Sequence, residues 1–271
     1  MGRAGFRTVR YLGIVVLSGR SLVADIRDLD RHPIVVRGVT VDVSKKNGVL
    51  TVPKDTYSEE RLGEVDRLEA GARRLARSQS KRWLDIVGSG LGILCLSPLL
   101  LLVALAIVAE SPGSPLFQQR RSGFLGGHFI IYKFRTMRVR EDGSDVVQAQ
   151  RDDDRITRVG LFLRRTSIDE LPQLLNVLKG EMSLVGPRPH AVSHDEYYGR
   201  IVVDYDSRFK TKPGLTGLAQ VSGLRGQTAE VRDMAARVDK DLEYIRSWSF
   251  VGDIKILLRT VLIFAFHPAA Y

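Results

Sequence analysis

One uninterrupted apolar run, residues 83–109, constrains the fold of this chain more than any other feature of its sequence. It reads WLDIVGSGLGILCLSPLLLLVALAIVA, and its single charged residue, Asp85, lies near its start. At a rise of about 1.5 Å per residue, a helix of this length reaches across the hydrocarbon core of a bilayer. A buried core helix would show one polar face, and this run shows none. The sequence therefore predicts a helix that inserts into a membrane.

Two features indicate that this helix enters and leaves the membrane on the same side. Ser97-Pro98 lies in the middle of the run, where proline removes a backbone donor and clashes with the preceding turn, so we expect a bend or break. A spanning helix normally keeps its basic neighbours on the cytoplasmic side, but here they flank both ends. They are Arg73, Arg74, Arg77, Lys81 and Arg82 before the run, and Arg120, Arg121, Lys133, Arg135 and Arg138 after it. We expect a re-entrant membrane helix over residues 81–110, broken at Ser97-Pro98, with a simple spanning helix as the alternative.

The charge balance indicates the kind of partner. The 271 residues include 41 Lys and Arg against 31 Asp and Glu, a formal charge of +10, which favours a polyanion: nucleic acid, an anionic membrane face or a phosphorylated substrate. With 44% apolar and 27% charged residues, the chain is neither a disordered tail nor a multi-span membrane protein. Cys95 is the single cysteine, so the chain cannot form an intramolecular disulfide.

Residues 1–80 are interpreted as an N-terminal appendage of unknown function. The apolar run 11–17 is at the short limit for a signal peptide and Arg20 follows it closely, so we reject that interpretation. Alternating valines at positions 39, 41 and 43 predict a short strand. The charged segment 58–81, with leucines at 62, 68 and 75, predicts a surface helix that leads to the membrane.

Residues 129–137, FIIYKFRTM, predict a strand in which Lys133 and Arg135 are two residues apart and share one face. Cations that face one way beside a membrane suit a phosphate-bearing substrate. A solvated basic edge explains the same pattern equally well.

The segment 164–179, RRTSIDELPQLLNVLK, predicts an amphipathic helix, because leucines recur at positions 171, 174, 175 and 178. Ser167 and Glu170 match a capping box, and Pro172 fits near a helix start. Asp169 and Glu170 would then lie at a helix N-terminus, where the helix dipole alone can account for two carboxylates.

The neighbouring residues add a chemical interpretation. Arg164 and Arg165 precede the carboxylates, and two prolines fix the backbone around Arg188 in Gly186-Pro187-Arg188-Pro189. An exposed arginine in an ordered turn is the simpler explanation of that motif. A rigid guanidinium, however, binds phosphate bidentately, and carboxylates with arginines are the groups that phosphoryl transfer requires.

From about Lys81 to the C-terminus, the chain resembles the bacterial sugar transferases, the monotopic phosphoglycosyl transferases, and is closest to the undecaprenyl-phosphate glucose/galactose phosphotransferases of exopolysaccharide synthesis. The resemblance covers roughly the last two-thirds of the chain and rests on motifs whose order together is highly specific. They occupy residues 97–98, 114–117, 132–137, 163–173, 186–190, 212–217 and 241–245.

The resemblance implies a fold and a reaction. The fold class is α+β and mostly helical: a re-entrant membrane helical hairpin, then a cytoplasmic catalytic domain over residues 111–271 with a small sheet. The enzyme would move a sugar 1-phosphate, most simply a hexose 1-phosphate, from a UDP-sugar to polyprenyl phosphate. Asp169 matches the family nucleophile and would form an aspartyl-phosphosugar intermediate with release of UMP. Glu170 matches the residue that positions Mg²⁺, although Mn²⁺ suits the same ligands.

The resemblance also implies substrate-binding residues and partners. Arg188 matches the family's phosphate-binding arginine, and the weaker candidates are Lys133, Arg164, Arg225 and Asp241. Gly214 and Gly217 are expected to shape a turn near the nucleotide. The partners would be the UDP-sugar, polyprenyl phosphate and inner-membrane lipid, with polysaccharide-assembly proteins or a second copy of the chain as further options, at the cytoplasmic face of the bacterial inner membrane.

Several points stay open at this stage. Residues 189–196 and 221–228 favour the hexose-1-phosphate branch, whereas Leu218 and Ser122 depart from the residues that relatives usually have. His190 and His194 are four apart but lack a third ligand, so we favour a structural or substrate-contact role over zinc. A nucleic-acid binder is disfavoured because aromatic residues do not alternate with basic runs. A catalytically inactive scaffold of a polysaccharide-assembly complex is disfavoured because both carboxylates and Arg188 are present.

Overall fold

A computed structural model describes residues 61, 63–138, 153, 155–226 and 230–263 with their side chains, together with backbone elements in 12–51, 59–60, 62 and 264–266. The chain divides into two units, Met1–Asp66 and Arg67–Tyr271. It is mostly helical with small sheets, as expected from the sequence.

The described part of the first unit contains six short strands, of which the sequence predicted one. They are β1 (Leu12–Leu17), β2 (Arg20–Asp25), β3 (Ile34–Val36), β4 (Val39–Val41), β5 (Ser44–Lys46) and β6 (Val49–Thr51). Four form a sheet of order β2-β1-β6-β5, and β3 pairs with β4. The predicted strand at the alternating valines is confirmed as β4, and Val43 lies outside the described residues. The other five are three to six residues long, too short for a clear alternation in the sequence.

Helix α1 (Glu59–Arg77) confirms the predicted helix but is not confined to the surface. Leu68, Ala72 and Leu75 are buried, because their spacing of four and three residues places them on one face. A Cβ at Gly71 would lie 2.0 Å from the carbonyl oxygen of Ile245, so glycine is what permits this close packing.

Helix α2 (Gln79–Glu110) contains the whole apolar run and continues through Pro98. The helix is therefore not broken at Ser97-Pro98, whereas a bend there stays a prediction. Pro98 has no N–H for the carbonyl of Leu94, and the Ser97 hydroxyl donates to that carbonyl at 2.8 Å instead. Because serine satisfies the group that proline leaves unpaired, the helix can pass this point in an apolar environment.

The rest of the second unit is a sequence of short elements around one core. After α2 come β7 (Leu116–Ser122), β8 (His128–Phe134), α3 (Arg158–Thr166), α4 (Leu174–Lys179), β9 (Ser183–Val185), α5 (Val192–Ile201), β10 (Gly214–Thr216), α6 (Leu218–Val221), α7 (Val231–Ser247) and α8 (Phe250–Phe266). Strands β7 and β8 form an antiparallel hairpin, and β9 pairs in parallel with β10.

Buried polar contacts hold α2 against this core. The Asp85 carboxylate accepts hydrogen bonds from the Ser183 hydroxyl and the Leu184 amide, at 2.9 and 2.8 Å. Lys81 forms a buried ion pair with Asp253 of α8 at 2.8 Å. Near the other end of α2, Val103 and Ile107 form a second apolar cluster with Phe134 and Leu163. Both ends of α2 therefore pack on the same unit.

The middle and outer face of α2 remain apolar and exposed. Among the described residues, α2 is the helix that is long and apolar enough to cross a membrane. Its exposed large side chains are Trp83, Val87, Leu91, Leu94, Leu101, Leu102, Leu105 and Val108. A face of this size requires an apolar environment, which a lipid bilayer supplies.

Candidate active site

The two predicted carboxylates lie in a short 3₁₀ helix, Ile168–Gln173, that follows α3 without an intervening loop. Ser167 ends α3 in the left-handed conformation, with φ 55° and ψ 19°, and its N–H donates to the carbonyl of Arg164. Its side chain makes no capping hydrogen bond, so the predicted capping box at Ser167 and Glu170 is wrong. The residue closes one helix rather than opening the next, and this sharp reversal places Asp169 and Glu170 at the site.

The predicted leucine face is also corrected. Helix α4 begins only at Leu174, and Leu174, Asn176 and Val177 are buried while Leu175 and Leu178 are exposed. The predicted pattern assumed one continuous α-helix, whereas the tighter 3₁₀ turn changes which residues face the core.

Glu170 is held by two cations. Lys133 donates to Oε1 at 2.8 Å, and Arg188 donates to Oε2 at 2.8 Å and to Oε1 at 2.5 Å in a bidentate pair. Burial acts to raise the pKa of Glu170, but the charges and hydrogen bonds of Arg188 and Lys133 outweigh it and hold that pKa well below its ordinary value. Glu170 is therefore an ionised, immobilised carboxylate.

Asp169 is in the opposite situation. No hydrogen bond from the described residues reaches its carboxylate. Burial, together with the negative charge of Glu170, raises the pKa of Asp169 to about 6, against the opposing effect of the nearby cations. The site thus places a fixed anion beside a carboxylate that is unbonded and more basic than an ordinary aspartate.

Asp169 and Glu170 line a cavity of about 290 Å³ whose walls differ in polarity. Arg164, Arg188 and Arg225 also line it, so a ligand with several negative charges fits near the carboxylates. The remaining walls are largely apolar: Leu171, Leu184, Leu215, Val221, Leu257, Val261 and Ile263, with Thr216, Gln220 and Thr260 between them. The arrangement suits a ligand that carries phosphate at one end and apolar groups at the other.

Arg188 is positioned through its backbone by close packing around β9 and β10. A Cβ at Gly214 would lie 2.1 Å from the Gly186 nitrogen, and one at Gly217 would lie 2.2 Å from the Gly186 oxygen. These glycines therefore let two backbone segments touch beneath Arg188. Gly214 and Gly217 were expected to shape a turn near the nucleotide. In the structure, both pack closely against the backbone of Gly186.

A buried group of polar residues contacts the backbone of Arg188, outside the cavity itself. Arg208 donates to the carbonyl of Arg188 at 2.6 Å and forms an ion pair with Asp241 at 2.7 Å. Asp241 is only 2% exposed, does not line the cavity and contacts Arg208, so the structure does not bring this predicted site residue to the cavity. His190, which accepts from Arg208, belongs to this buried group as well. The described residues contain no group of three His, Cys, Asp or Glu side chains that could hold a metal without substrate.

Arg237 is not among the predicted site residues, but it holds the loop that contains Arg225. Arg237 is 7% exposed, and it donates to the carbonyls of Leu224 and Gly226, each at 3.0 Å. Burying an arginine is costly unless its donors are used, so this contact fixes the loop. The signal was present in the sequence, because Arg237 and Asp241 are four apart on the apolar face of a helix that also contains Met234 and Val238.

Arg135 is absent from the cavity, contrary to its predicted shared face with Lys133. Strand β8 ends at Phe134, and Arg135 donates to the carbonyls of Ser111 and Pro112 at 2.7 and 2.6 Å. Its role is to fix the chain where α2 ends. Of the predicted site residues, the structure brings Asp169, Glu170, Arg164, Arg188 and Arg225 to the cavity, and Lys133 to Glu170.

A cavity with two carboxylates and three arginines, in the same unit as a helix with a large exposed apolar face, is typical of a membrane-associated enzyme for phosphate-bearing substrates. The chain belongs to the bacterial sugar transferase family, whose model matches residues 76–267.

Individual relatives are also similar over most of this region. A UDP-glucose:undecaprenyl-phosphate glucose-1-phosphate transferase from Caulobacter vibrioides is 58% identical over 188 residues, 69% of this chain and 70% of the relative. The protein of the same name from Escherichia coli K12 is 51% identical over 191 residues, 70% of this chain and 41% of the relative. A UDP-N-acetylgalactosamine-undecaprenyl-phosphate N-acetylgalactosaminephosphotransferase from Aeromonas hydrophila is 40% identical over 181 residues, 67% of this chain and 42% of the relative. The match thus spans about two fifths of the last two proteins.

Proposed function

We propose that this chain transfers a hexose 1-phosphate, with glucose 1-phosphate as the first candidate, from a UDP-sugar to undecaprenyl phosphate, as the first membrane step of exopolysaccharide synthesis. The observation that carries the proposal is the pair of adjacent carboxylates in unlike states. Asp169 is unbonded among arginines, and Glu170 is fixed by Lys133 and Arg188. The relatives named for UDP-glucose support the choice of sugar.

In the first step, an oxygen of the Asp169 carboxylate attacks the phosphorus next to the sugar. The bond from that phosphorus to the oxygen that bridges the two phosphates breaks, and UMP leaves with that oxygen. A carboxylate with a pKa of about 6 is ionised at neutral pH and is a stronger nucleophile than an ordinary aspartate. Arg164, Arg188 and Arg225 would neutralise the charge that develops on the phosphate oxygens.

In the second step, a phosphate oxygen of the lipid acceptor attacks the aspartyl-phosphosugar. The acyl phosphate bond breaks, the carboxylate of Asp169 is restored and the sugar becomes linked to the lipid through a diphosphate. Glu170 stays ionised throughout, so it keeps Arg188 and Lys133 in one place during both steps.

A divalent cation fits this donor set when substrate supplies part of the coordination. Two adjacent carboxylates plus phosphate oxygens are the ligands with which Mg²⁺ is commonly held, and Mn²⁺ accepts the same ligands. We therefore propose that Glu170, with Asp169 close by, holds Mg²⁺ or Mn²⁺ together with the diphosphate. The bound cation would supply charge neutralisation at the phosphate oxygens.

We also propose that α2 is re-entrant in the bacterial inner membrane, with the catalytic domain on the cytoplasmic face. Support comes from the packing of its two ends, since Asp85 contacts β9 and Val103 and Ile107 contact Leu163 on the same unit. A helix that crossed the bilayer would place these ends on opposite sides. Pro98 is the point at which a continuous helix can bend.

The test is transfer by the full chain in detergent with Mg²⁺, undecaprenyl phosphate and a panel of UDP-sugars, with UMP release as the measurement. We expect UMP release from UDP-glucose, and a loss of at least about 1,000-fold in Asp169→Asn, because an amide cannot act as the nucleophile. Asp239→Asn, an exposed aspartate on α7, is the matched control and should retain wild-type turnover. Wild-type turnover by Asp169→Asn would disprove the assigned nucleophile, and no turnover by the wild-type chain with any UDP-sugar would disprove the function.

A further inference from the structure

Helix α8 separates the catalytic cavity from an exposed apolar surface. On its outer side, Val251, Leu258 and Leu262 are 61, 60 and 54% exposed. On its inner side, Leu257 and Thr260 line the cavity. Val261 belongs to both sides, because it lines the cavity and is also 66% exposed. It therefore marks the edge where the cavity meets the outer surface.

The outer surface of α8 has the composition of a helix that lies in a membrane interface. Lys255 and Arg259 are exposed in the same stripe as Leu258 and Leu262. Apolar residues between basic ones are typical of helices that rest on an anionic leaflet. The buried ion pair of Lys81 with Asp253 fixes α8 to α2, the helix with the large exposed apolar face. One helix thus contacts both the cavity and the expected lipid surface.

The cavity that Val261 borders combines apolar lining residues with a phosphate-binding group of residues. Leu257 and Val261 of α8 line the cavity together with Leu184 and Leu215, and the same cavity is lined by Asp169 and three arginines. A nucleotide sugar is polar over most of its surface and gains little from such an apolar wall. An isoprenoid chain with a terminal phosphate matches both the apolar residues and the arginines of the lining.

We propose that the first isoprene units of the lipid acceptor lie along the inner face of α8, with their phosphate at Arg188 and the rest of the chain leaving to the bilayer past Val261. This inference rests on the proposed function and assigns a binding site to its second substrate. Leu257 and Val261 are then acceptor-binding residues, whereas Leu258 and Leu262 contact bulk lipid only.

Two neighbouring substitutions test the proposal in the full chain in detergent micelles. Val261→Asn should raise the KM for long-chain polyprenyl phosphate by about tenfold, the effect of losing about 1.4 kcal/mol of apolar contact. The KM for UDP-glucose and the UMP released in the absence of acceptor should not change, because the first step does not use this wall. Leu262→Asn is the matched control, equally polar and on the same helix, and it should leave both KM values within twofold of wild type.

Kinetic outcomes separate this proposal from the proposed function. Equal effects of the two substitutions on the acceptor KM, or a higher KM for UDP-glucose in Val261→Asn, would overturn the site at α8 while the transferase assignment stood. Failure of the wild-type chain to release UMP would overturn the transferase assignment itself.

A binding measurement keeps the site testable without activity. A polyprenyl phosphate with a diazirine in its first isoprene units is photolysed with the full chain in micelles, and the labelled peptide is identified by mass spectrometry. We expect label at Leu257 or Val261, competed by unlabelled polyprenyl phosphate and reduced in Val261→Asn but not in Leu262→Asn. Label that is spread over α2 and α8 and is not competed would show partition into lipid only and would contradict the proposal.

Discussion

Asp169 and Glu170 are adjacent in one 3₁₀ turn, but their surroundings shift their pKa values in opposite directions. Glu170 accepts three charge-assisted hydrogen bonds from Lys133 and Arg188, so ionisation is favoured. Asp169 is buried beside that negative charge and receives no hydrogen bond from the described residues, so ionisation is disfavoured. A pair of this kind is typical of a catalytic site, because a merely structural pair would share the available donors.

The two pKa shifts have opposite effects on stability. The pKa of Asp169 is raised from 3.8 to about 6 in the fold, so the protonated fold is favoured and stability falls as pH rises from about 4 to 6. At pH 7.5, Asp169→Asn should therefore raise the free energy of unfolding by about 1–2 kcal/mol, although it abolishes transfer. The gain should disappear near pH 4, where both chains carry a neutral side chain. Thermal or denaturant unfolding at the two pH values measures it.

Glu170→Gln provides the matched comparison with the opposite sign. The pKa of Glu170 is lowered in the fold, so its contribution is present above the ordinary value near 4.5 and is lost as pH falls below it. Replacing it should lower the free energy of unfolding by about 2 kcal/mol at pH 7.5, because Lys133 and Arg188 lose a partner. If both substitutions lowered stability at pH 7.5, the assignment of a strained Asp169 beside a satisfied Glu170 would be wrong.

At the residue scale, the sequence identified the reacting groups better than their surroundings. The motifs predicted Asp169, Glu170 and Arg188 as a group, and the structure brings them to one cavity. The left-handed conformation of Ser167 was not predictable, because non-glycine residues adopt positive φ only where tertiary contacts require it. The sequence shows Arg237 and Asp241 four apart on the apolar face of one helix, but no local pattern shows their partners, which are Leu224 and Gly226 for Arg237 and Arg208 for Asp241.

At the element scale, α2 shows how one short motif permits a long apolar helix to continue through proline. The helix is 32 residues long, about 48 Å at 1.5 Å per residue, and both of its ends contact the same catalytic unit. Its existence and apolar character followed from the uninterrupted apolar run in the sequence. Its continuity did not, because the hydrogen bond from Ser97 to the Leu94 carbonyl is visible only in three dimensions.

The re-entrant placement predicts the same membrane side for residues before and after α2. Single cysteines are introduced as Ser80→Cys and Ser114→Cys in a Cys95→Ala background, since Ser80 is exposed in the first turn of α2 and Ser114 is exposed just after its end. A charged, impermeant thiol reagent should label both from the cytoplasmic face of inner-membrane vesicles. In the wild-type chain, which keeps Cys95 close to Pro98, the reagent should not label this cysteine from either face, because it would lie in lipid.

A spanning helix gives a different labelling pattern. In that case Ser80→Cys and Ser114→Cys would react from opposite faces, and the proposed re-entrant arrangement would be wrong. The control is detergent-solubilised protein of the two variants and of the wild-type chain. Each of their cysteines should react there, unless the fold itself protects it.

For the whole molecule, the surplus of positive charge has three uses, of which the sequence indicated two. Basic residues near the apolar helix and at the phosphate site were expected. The structure adds a buried set, in which Lys81, Arg135, Arg208 and Arg237 are each at most 7% exposed and donate to backbone carbonyls. These cations join segments that lie far apart in the sequence, so net charge alone overstates how much of the surplus is available to lipid or substrate.

The exposed cations of α8 give the last prediction, since they should bind this helix to anionic lipid. In nanodiscs with anionic lipid, backbone amides of α8 should exchange with solvent more slowly than in neutral nanodiscs, because a cation near an anionic surface contributes about 1 kcal/mol. Lys255→Gln with Arg259→Gln should remove up to about tenfold of that protection, and high salt should remove it in the wild-type chain. Lys240→Gln on α7 is the control, because Lys240 is a partly exposed cation that pairs with Glu243 on its own helix. If the double variant kept the full difference between anionic and neutral lipid, α8 would not lie on the leaflet, and the path of the acceptor chain past Val261 would lose its support.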